Sequence, residues 1–302
     1  MMLDRLCGND TVKQSLSAAL RGGRLSHSIL LCGEAGTGVH FAARLLAADY
    51  LYPSDAEHSA AEAVLRGEGA ECLVLRGEGA SGDIKIEAVR EMRREIFNTS
   101  LSAAGRCVLI RGADKLNDSS ANALLKVLEE PPNHVLFILT APSEAAVMAT
   151  IRSRANAYSL SPVSEALCTE WLHQNMPEAK NAALLSAVFG GRIGSAAKAA
   201  ATEEGKERLD KAFRLLEACA KHDEYAMAAL LSAYEKDKPA ALALFAFASA
   251  VFSAAMRGAL QSDIAPSAAA AALPHFNKAC TRLASNVSTK LVLAMLAADL
   301  AA

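Results

Sequence analysis

Residues 29–40 read Ile-Leu-Leu-Cys-Gly-Glu-Ala-Gly-Thr-Gly-Val-His, and this stretch decides the fold. An apolar run ends at Cys32, and Gly33 and Gly38 follow at the spacing of the phosphate-binding loop G-x-x-x-x-G-K-[ST]. Such a loop joins a buried strand to a helix, and its backbone N–H groups can surround phosphate oxygens. The stretch predicts a remnant phosphate loop, in which Gly33, Gly36 and Gly38 bind nucleotide weakly or not at all.

The side chains that give such a loop its chemistry are missing. Val39 stands in place of the lysine that reaches the β- and γ-phosphates, and His40 replaces the Ser or Thr that holds Mg²⁺. A pair of acids should follow a later strand, but the apolar run 107–110 is followed by Arg111 and Gly112. Two independent losses predict a module that does not hydrolyse ATP.

Short apolar runs in the first half alternate with helical patterns, which is typical of a parallel sheet covered on both faces. The predicted strands are residues 28–32, 72–75, 106–110, 135–140 and 157–160. Beyond Pro162 the pattern indicates short helices and then, from about residue 204, a bundle of long alanine-rich helices. The apolar stretch 239–256 resembles a membrane span, but its alanine and serine content favours a buried bundle helix.

Composition restricts the possible functions. The 302 residues carry 31 Lys and Arg against 33 Asp and Glu, and neither half has a basic excess, which argues against tight autonomous binding of nucleic acid. The seven cysteines are scattered with no pair at the spacing of zinc ligands. We therefore expect no metal site and reduced thiols in a cytosolic protein. The first residues do not resemble a signal peptide.

One block carries a specific family resemblance. Residues 121–132 read Ala-Asn-Ala-Leu-Leu-Lys-Val-Leu-Glu-Glu-Pro-Pro, with Ala-Asp-Lys-Leu-Asn-Asp before them at 113–118 and Thr-Ile-Arg-Ser-Arg after them at 150–154. Together with the loop, these residues resemble the clamp-loader branch of the AAA+ ATPases, and more closely the delta-prime family of bacterial DNA polymerase III. The resemblance implies an α/β AAA+ P-loop module joined to an all-α region.

Three domains follow from this resemblance: the module at 1–162, a small helical lid at 163–203, and a helical collar for oligomerisation at 204–302. The implied partners are gamma/tau and delta subunits, with the sliding clamp and primer–template DNA reached through that hetero-oligomer. The implied location is the cytoplasm, at the nucleoid-associated replisome, without contact to a membrane. ATP would be bound by the neighbouring subunit, so no cofactor is expected in this chain. The family usually carries a four-cysteine zinc module between the loop and the acidic motif, but only Cys72 lies in that stretch here, so no zinc is expected. The chain itself would have no ATPase activity. It would be a subunit of a DNA-directed DNA polymerase holoenzyme, which is a nucleotidyltransferase.

Ser153 and Arg154 match the start of the family's Ser-Arg-Cys motif, although Ala155 replaces the cysteine. The resemblance implies that Arg154 is an arginine finger, which stabilises charge on the ATP of an adjacent gamma/tau subunit. From the residues alone, Arg154 could also be an ordinary surface ion-pair residue. Thr140 matches a sensor position beside the γ-phosphate, or else caps the next turn. Gly194 stands where hydrolysing relatives carry a second sensor arginine.

Arg90, Arg93 and Arg94 form a basic edge on a helix predicted at about residues 87–97. The resemblance implies that such a helix faces the backbone of primer–template DNA. The alternative is a solvated face whose arginines pair with the glutamates of the same helix.

Two other functions stay open at this point. The chain could be a divergent ATPase that uses His40 and a displaced Mg²⁺ ligand, Asp114, although Asp114 could equally be solvated or a helix cap. It could also be a nucleotide-free interaction module outside replication.

Overall fold

The structure is a computed structural model that describes residues 1–53, 58–78, 82–97, 104–179, 181–285 and 287–301. The chain divides into two compact units, Met1–Val163 and Ser164–Ala302. The first unit contains all five strands of the described residues and the second is entirely helical in the part described.

The first unit is built on a parallel sheet whose strand order is β2-β3-β4-β1-β5. The strands are β1 (Ser28–Cys32), β2 (Cys72–Arg76), β3 (Arg106–Arg111), β4 (Val135–Ala141) and β5 (Asn156–Ser159). The helices are α1 (Asp10–Arg21), α2 (Val39–Leu51), α3 (His58–Arg66), α4 (Ile86–Ile96), α5 (Asp118–Glu129) and α6 (Ala149–Arg152). The predicted five strands are confirmed, with ends that differ by one residue at most.

Apolar residues on both faces of the sheet explain why its central strands are buried throughout. One core lies between the sheet and α1, α2 and α3, and includes Leu31, Leu45 and Ile138. The other core lies on the opposite face against α4, α5 and α6, and includes Val89 and Phe137. The prediction of a parallel sheet covered on both faces is therefore confirmed.

Helix ends in the first unit follow local chemistry. Asn117 caps α5 by accepting the Ser120 N–H at 2.9 Å, and the helix ends just before Pro131, which could not continue it. Because all strands are parallel, the loop after β1 and the turns after β3 and β4 lie at the same edge of the sheet. That edge holds most of the residues singled out by the sequence.

The second unit is a helical assembly. Its helices are α7 (Glu165–Asn175), α8 (Ala182–Phe189), α9 (Ile193–Ala201), α10 (Glu203–Ala220), α11 (Glu224–Ser232), α12 (Lys238–Met256), α13 (Pro266–Ala284) and α14 (Thr289–Ala301). Helix α9 packs against α10, and α8 packs against α12, so helices of the expected lid and of the expected collar are in contact. The division into lid and collar at residue 203 stays a prediction.

Helix α12 is, among the described residues, the one helix long and apolar enough to cross a membrane. It also packs against α10 and α13, and its Phe252 ring meets the Phe276 ring at a centroid distance of 5.2 Å. Phe245 contacts the same ring at 6.2 Å. These buried contacts are those expected of a bundle helix, in which one apolar face is covered by neighbouring helices.

Candidate functional site

The loop between β1 and α2 keeps the backbone shape of a phosphate loop. Gly36 and Gly38 have φ angles of 90° and 93°, a left-handed region that favours glycine. Thr37 closes the turn, since both its N–H and its hydroxyl donate to the Glu34 carbonyl, at 3.1 and 2.8 Å. The loop therefore leads directly into the first turn of α2.

Gly33 has a packing role in addition to its place in the motif. A Cβ atom at Gly33 would lie 2.6 Å from Thr37 Oγ1, 2.7 Å from the Leu160 carbonyl and 2.8 Å from Val39 Cγ2. Contacts this short exclude any side chain. The loop thus packs closely around Gly33, and whether it binds nucleotide stays a prediction.

The two residues that replace the lysine and the hydroxyl have different positions. Val39 is 7% exposed and belongs to the apolar core beneath α2, so it adds nothing polar to the loop. His40 is exposed, and its Nδ1 lies 3.2 Å from the hydroxyl of Thr140 at the end of β4. Thr140 Oγ1 also accepts the Gly112 N–H at 3.2 Å. Thr140 therefore supports the turn after β3, rather than the turn after its own strand.

The acids of an ATPase are replaced by a basic residue and a turn. Strand β3 ends at Arg111, and Gly112 turns the chain with a φ of 85°. Asp114 lies in the short helical turn that follows, with its carboxylate 3.9 Å from Lys115 Nζ. Within the described part of the chain, no group of three or more His, Cys, Asp or Glu residues is placed to hold a metal ion.

This edge of the sheet is electropositive. Desolvation lowers the pKa of His40, and the nearby cations Arg111 and Arg44 lower it further, while Asp114 opposes them. The pKa of Arg111 is lowered as well, first by desolvation and then by Arg44 and Arg76. A cationic environment is the opposite of what a Mg²⁺ site requires.

Arg154 lies at the other candidate site, in the turn after α6. Its Nη1 donates to the Thr150 carbonyl at 2.8 Å and lies 3.1 Å from Ser153 Oγ. Its Nη2 forms an ion pair with Glu129 Oε1 at 2.5 Å, and a third of the Arg154 side chain is exposed, at 34%. The predicted pair Ser153 and Arg154 is therefore in direct contact, and the guanidinium is accessible.

Glu129 is a partner that the sequence did not predict. It ends α5, directly before Glu130 and Pro131 in the block that carries the family resemblance. No spacing rule relates it to Arg154, because Glu129 ends α5 while Arg154 lies in the turn after α6, and the two meet only in the folded chain. The family block at 121–132, which contains Glu129, is the one sequence signal that points to this residue.

Arg90, Arg93 and Arg94 lie on α4, whose opposite face is buried. With Phe97, which is 67% exposed, they line an open cavity of about 730 Å³. Arg93 Nε is buried without a hydrogen-bond partner. In the described ranges none of the three arginines forms an ion pair with a glutamate of α4. No contact therefore supports the alternative, in which these arginines pair with the glutamates of their own helix.

The second sensor position falls in the helical unit. Gly194 lies in the first turn of α9, and the nearby Arg192 donates from Nε to the Phe189 carbonyl at 2.8 Å. Arg192 thus fixes the turn between α8 and α9.

Comparison with known proteins gives one consistent result. Residues 8–164 match the model of a protein family described as DNA polymerase III, delta subunit. The DNA polymerase III subunit delta' of Yersinia pestis is 34% identical over 110 residues, which cover 36% of this chain and 32% of that protein. The delta' subunit of Pseudomonas aeruginosa is 31% identical over 180 residues, or 56% of this chain and 55% of that protein. The chain thus matches about half or less of the length of these relatives.

Among solved structures, a DNA polymerase III gamma subunit-related protein from Thermotoga maritima is similar in fold. Its TM-score is 0.55 at 18% identity, and the match covers 95% of this chain and 98% of that one. At this identity the likeness concerns the fold alone, and it extends over the helical unit as well as the sheet.

Proposed function

The chain belongs to the DNA polymerase III delta-subunit family, as a delta-prime-type clamp-loader subunit, and we propose that it hydrolyses no ATP itself and serves the ATP site of a neighbouring subunit. The proposal rests on a contrast between two sites. At the loop edge, Val39 and Arg111 replace the groups that would hold ATP and Mg²⁺. At the turn after α6, Arg154 remains accessible.

The single observation that carries the proposal is the geometry of Arg154. Two oxygens of its own turn, the Thr150 carbonyl and Ser153 Oγ, orient its guanidinium. An arginine finger stabilises negative charge that develops on the γ-phosphoryl oxygens, and it is worth roughly 10³–10⁵ in rate. Arg154 would supply this charge in trans to a gamma/tau subunit.

In this proposal, Glu129 would give way to a phosphate of the neighbouring subunit. In the free subunit its carboxylate pairs with Arg154 Nη2. An exposed pair of this kind is worth about 1 kcal/mol or less, so the γ-phosphate of a neighbour can displace Glu129 at little cost. Glu129 would hold the guanidinium near its working orientation until the complex forms.

The remaining features fit a role in an assembly. The proposed partners are gamma/tau and delta subunits, with the sliding clamp reached through the complex, in the bacterial cytoplasm at the replisome. Arg90, Arg93 and Arg94 would contact the phosphate backbone of primer–template DNA. Because the whole chain is close to neutral, such contacts would add to binding by the complex and would not give tight binding by this chain alone.

The assembly is tested by tagging this chain and purifying it with the gamma/tau and delta subunits of the same bacterium. We expect all three in one complex, and recovery of neither partner would overturn the replication assignment.

ATP hydrolysis by the chain itself is tested with labelled ATP and Mg²⁺ on the purified protein. We expect no turnover, and a Val39→Lys variant shows whether a restored lysine raises binding. Measurable turnover by the unmodified chain would favour a divergent ATPase instead.

A further inference from the structure

We propose that the edge of the sheet beside the Gly33–Gly38 loop binds a phosphoryl oxyanion directly, without a divalent cation, and that Arg111 is the residue that binds it. In an ATPase of this fold, a carboxylate at the end of β3 holds Mg²⁺, and the metal then neutralises the phosphates. Here a guanidinium stands at that end. The positive charge at this position therefore comes from a protein side chain and needs no bound metal ion.

The register of the sheet places Arg111 between residues near the ends of the two neighbouring strands. It is paired with Arg76 on β2 and with Thr140 on β4. Side chains alternate along a strand, so Arg111 points to the same face as Cys107 and Leu109. Both of these belong to the core under α2.

The neighbouring strands direct their last residues to the same face. Arg76 shares the face of Cys72, which packs against the core under α2. Thr140 contacts His40 in the first turn of α2, at 3.2 Å. Arg44 follows His40 by one helical turn, and it lies close enough to Arg111 to lower the pKa of that guanidinium. The three arginines therefore converge on one side of the sheet edge.

These cations lack compensating carboxylates. In the described part of the chain no Asp or Glu forms an ion pair with Arg44, Arg76 or Arg111; Arg44 instead donates to the Leu65 carbonyl at 2.8 Å. Asp114 acts on His40, and its carboxylate lies 3.9 Å from Lys115 Nζ. Arg44 and Arg76 repel Arg111 and so help to lower its pKa, and an anion bound among the three would reduce this repulsion.

The chemistry of the site selects the ligand class. A phosphoryl or diphosphate group offers several charged oxygens, and a guanidinium binds two of them at once through parallel N–H bonds. The first turn of the 13-residue helix α2 adds the positive end of its dipole. Mg²⁺ would be repelled by Arg111, so a metal-free anion is expected to bind better than its magnesium complex.

The test is isothermal titration calorimetry of the full chain with inorganic phosphate, pyrophosphate and ADP, each in EDTA and again with Mg²⁺. We expect binding of at least one of them in EDTA, weakened by Mg²⁺. Arg111→Gln should weaken it roughly tenfold or more, because one charge-assisted contact is lost. Arg111→Lys should restore part of it. If only ADP binds, the site takes a nucleotide, and if phosphate or pyrophosphate also binds, it takes the phosphoryl group itself.

Arg24→Gln is the matched control, since Arg24 precedes the opposite, amino end of β1 and is exposed. It should bind like the unmodified chain. Circular dichroism and thermal unfolding confirm that each variant is folded. Three results would overturn the proposal: no binding of any of the three anions, equal affinity in Arg111→Gln, or binding that requires Mg²⁺.

Discussion

Asp49 fixes the amino-terminal segment to α2 through its buried carboxylate. The backbone N–H groups of Met2 and Leu3 donate to its two oxygens at 2.6 and 2.8 Å. Burial raises the pKa of Asp49, although these two hydrogen bonds lower it in part. A single buried side chain thus satisfies two backbone donors that would otherwise be left unpaired.

The predicted effect of Asp49→Ala is a loss of about 2 kcal/mol in the free energy of unfolding, because two buried donors lose their acceptor. Urea denaturation measures it. Asp10→Ala is the control, since Asp10 is exposed and pairs only with Lys13 at 2.8 Å. A surface pair is worth about 1 kcal/mol or less, so equal losses in the two variants would contradict the role of Asp49.

His40 gives the fold a pH dependence of known sign. Its pKa is lowered in the folded chain from the ordinary 6.5 by desolvation and by Arg111 and Arg44. Between the two pKa values the unfolded chain binds more protons, so stability is full above 6.5 and is lost as the pH falls through the folded value. His40→Gln should flatten this part of the stability curve. An unchanged slope below pH 6.5 would show that His40 does not titrate as the structure implies.

A buried ion pair lies where the edge strand β2 begins. Arg106 Nε lies 2.8 Å from Glu71 Oε2, with the two side chains 10% and 4% exposed. The same guanidinium donates from Nη1 to the Glu95 carbonyl at the end of α4, and the Glu71 carbonyl accepts the Cys107 N–H. The pair therefore joins β2, β3 and α4 at the amino end of the sheet.

Glu71→Gln should reduce the free energy of unfolding by about 3 kcal/mol, since it leaves a buried guanidinium without its counter-charge. The double variant Glu71→Met with Arg106→Met should recover much of this loss, because no unpaired charge remains. Denaturation of this double variant and of the single variants Glu71→Met and Arg106→Met gives a double-mutant cycle. If the double variant is as unstable as the sum of the single variants, the ion pair is not what holds β2.

At the scale of elements, most of the sheet could be predicted from the sequence, for a physical reason. Strands buried on both faces read as continuous apolar runs, and α5 is bounded by a capping Asn117 and by Pro131. Helices α1 and α3 were not predicted. Helix α1 is amphipathic and buries Leu16 and Ser17, so a helical pattern was present in its sequence.

The candidate sites were predictable only where a residue type alone carries the information. The loss of the lysine and the acids is visible in Val39 and Arg111 themselves. The contact of Glu129 with Arg154 and the row formed by Arg76, Arg111 and Thr140 depend on helix packing and strand register. Such contacts join residues far apart in the chain, and local patterns do not specify them.

The whole molecule combines a sheet unit, in which Val39 and Arg111 stand at the positions of the usual lysine and acid, with a unit that is helical throughout its described residues. Its formal net charge is −2, so neither electrostatic steering nor tight binding of DNA by the chain alone is expected. In the proposed function the chain acts within a complex, and the central claim is that Arg154 acts there on the ATP of a neighbouring subunit.

That claim is tested most directly by ATP turnover of a reconstituted clamp loader carrying Arg154→Ala, stimulated by clamp and primed DNA. Arg152→Ala is the matched control, since Arg152 is an exposed arginine two residues away. Loss of the arginine finger should slow hydrolysis at the adjacent ATP site roughly 10³-fold or more. The total ATP turnover of the loader should then fall by the fraction that this site contributes. The complex should still assemble, because an exposed ion pair contributes about 1 kcal/mol or less. Full turnover by an assembled Arg154→Ala loader would contradict the account.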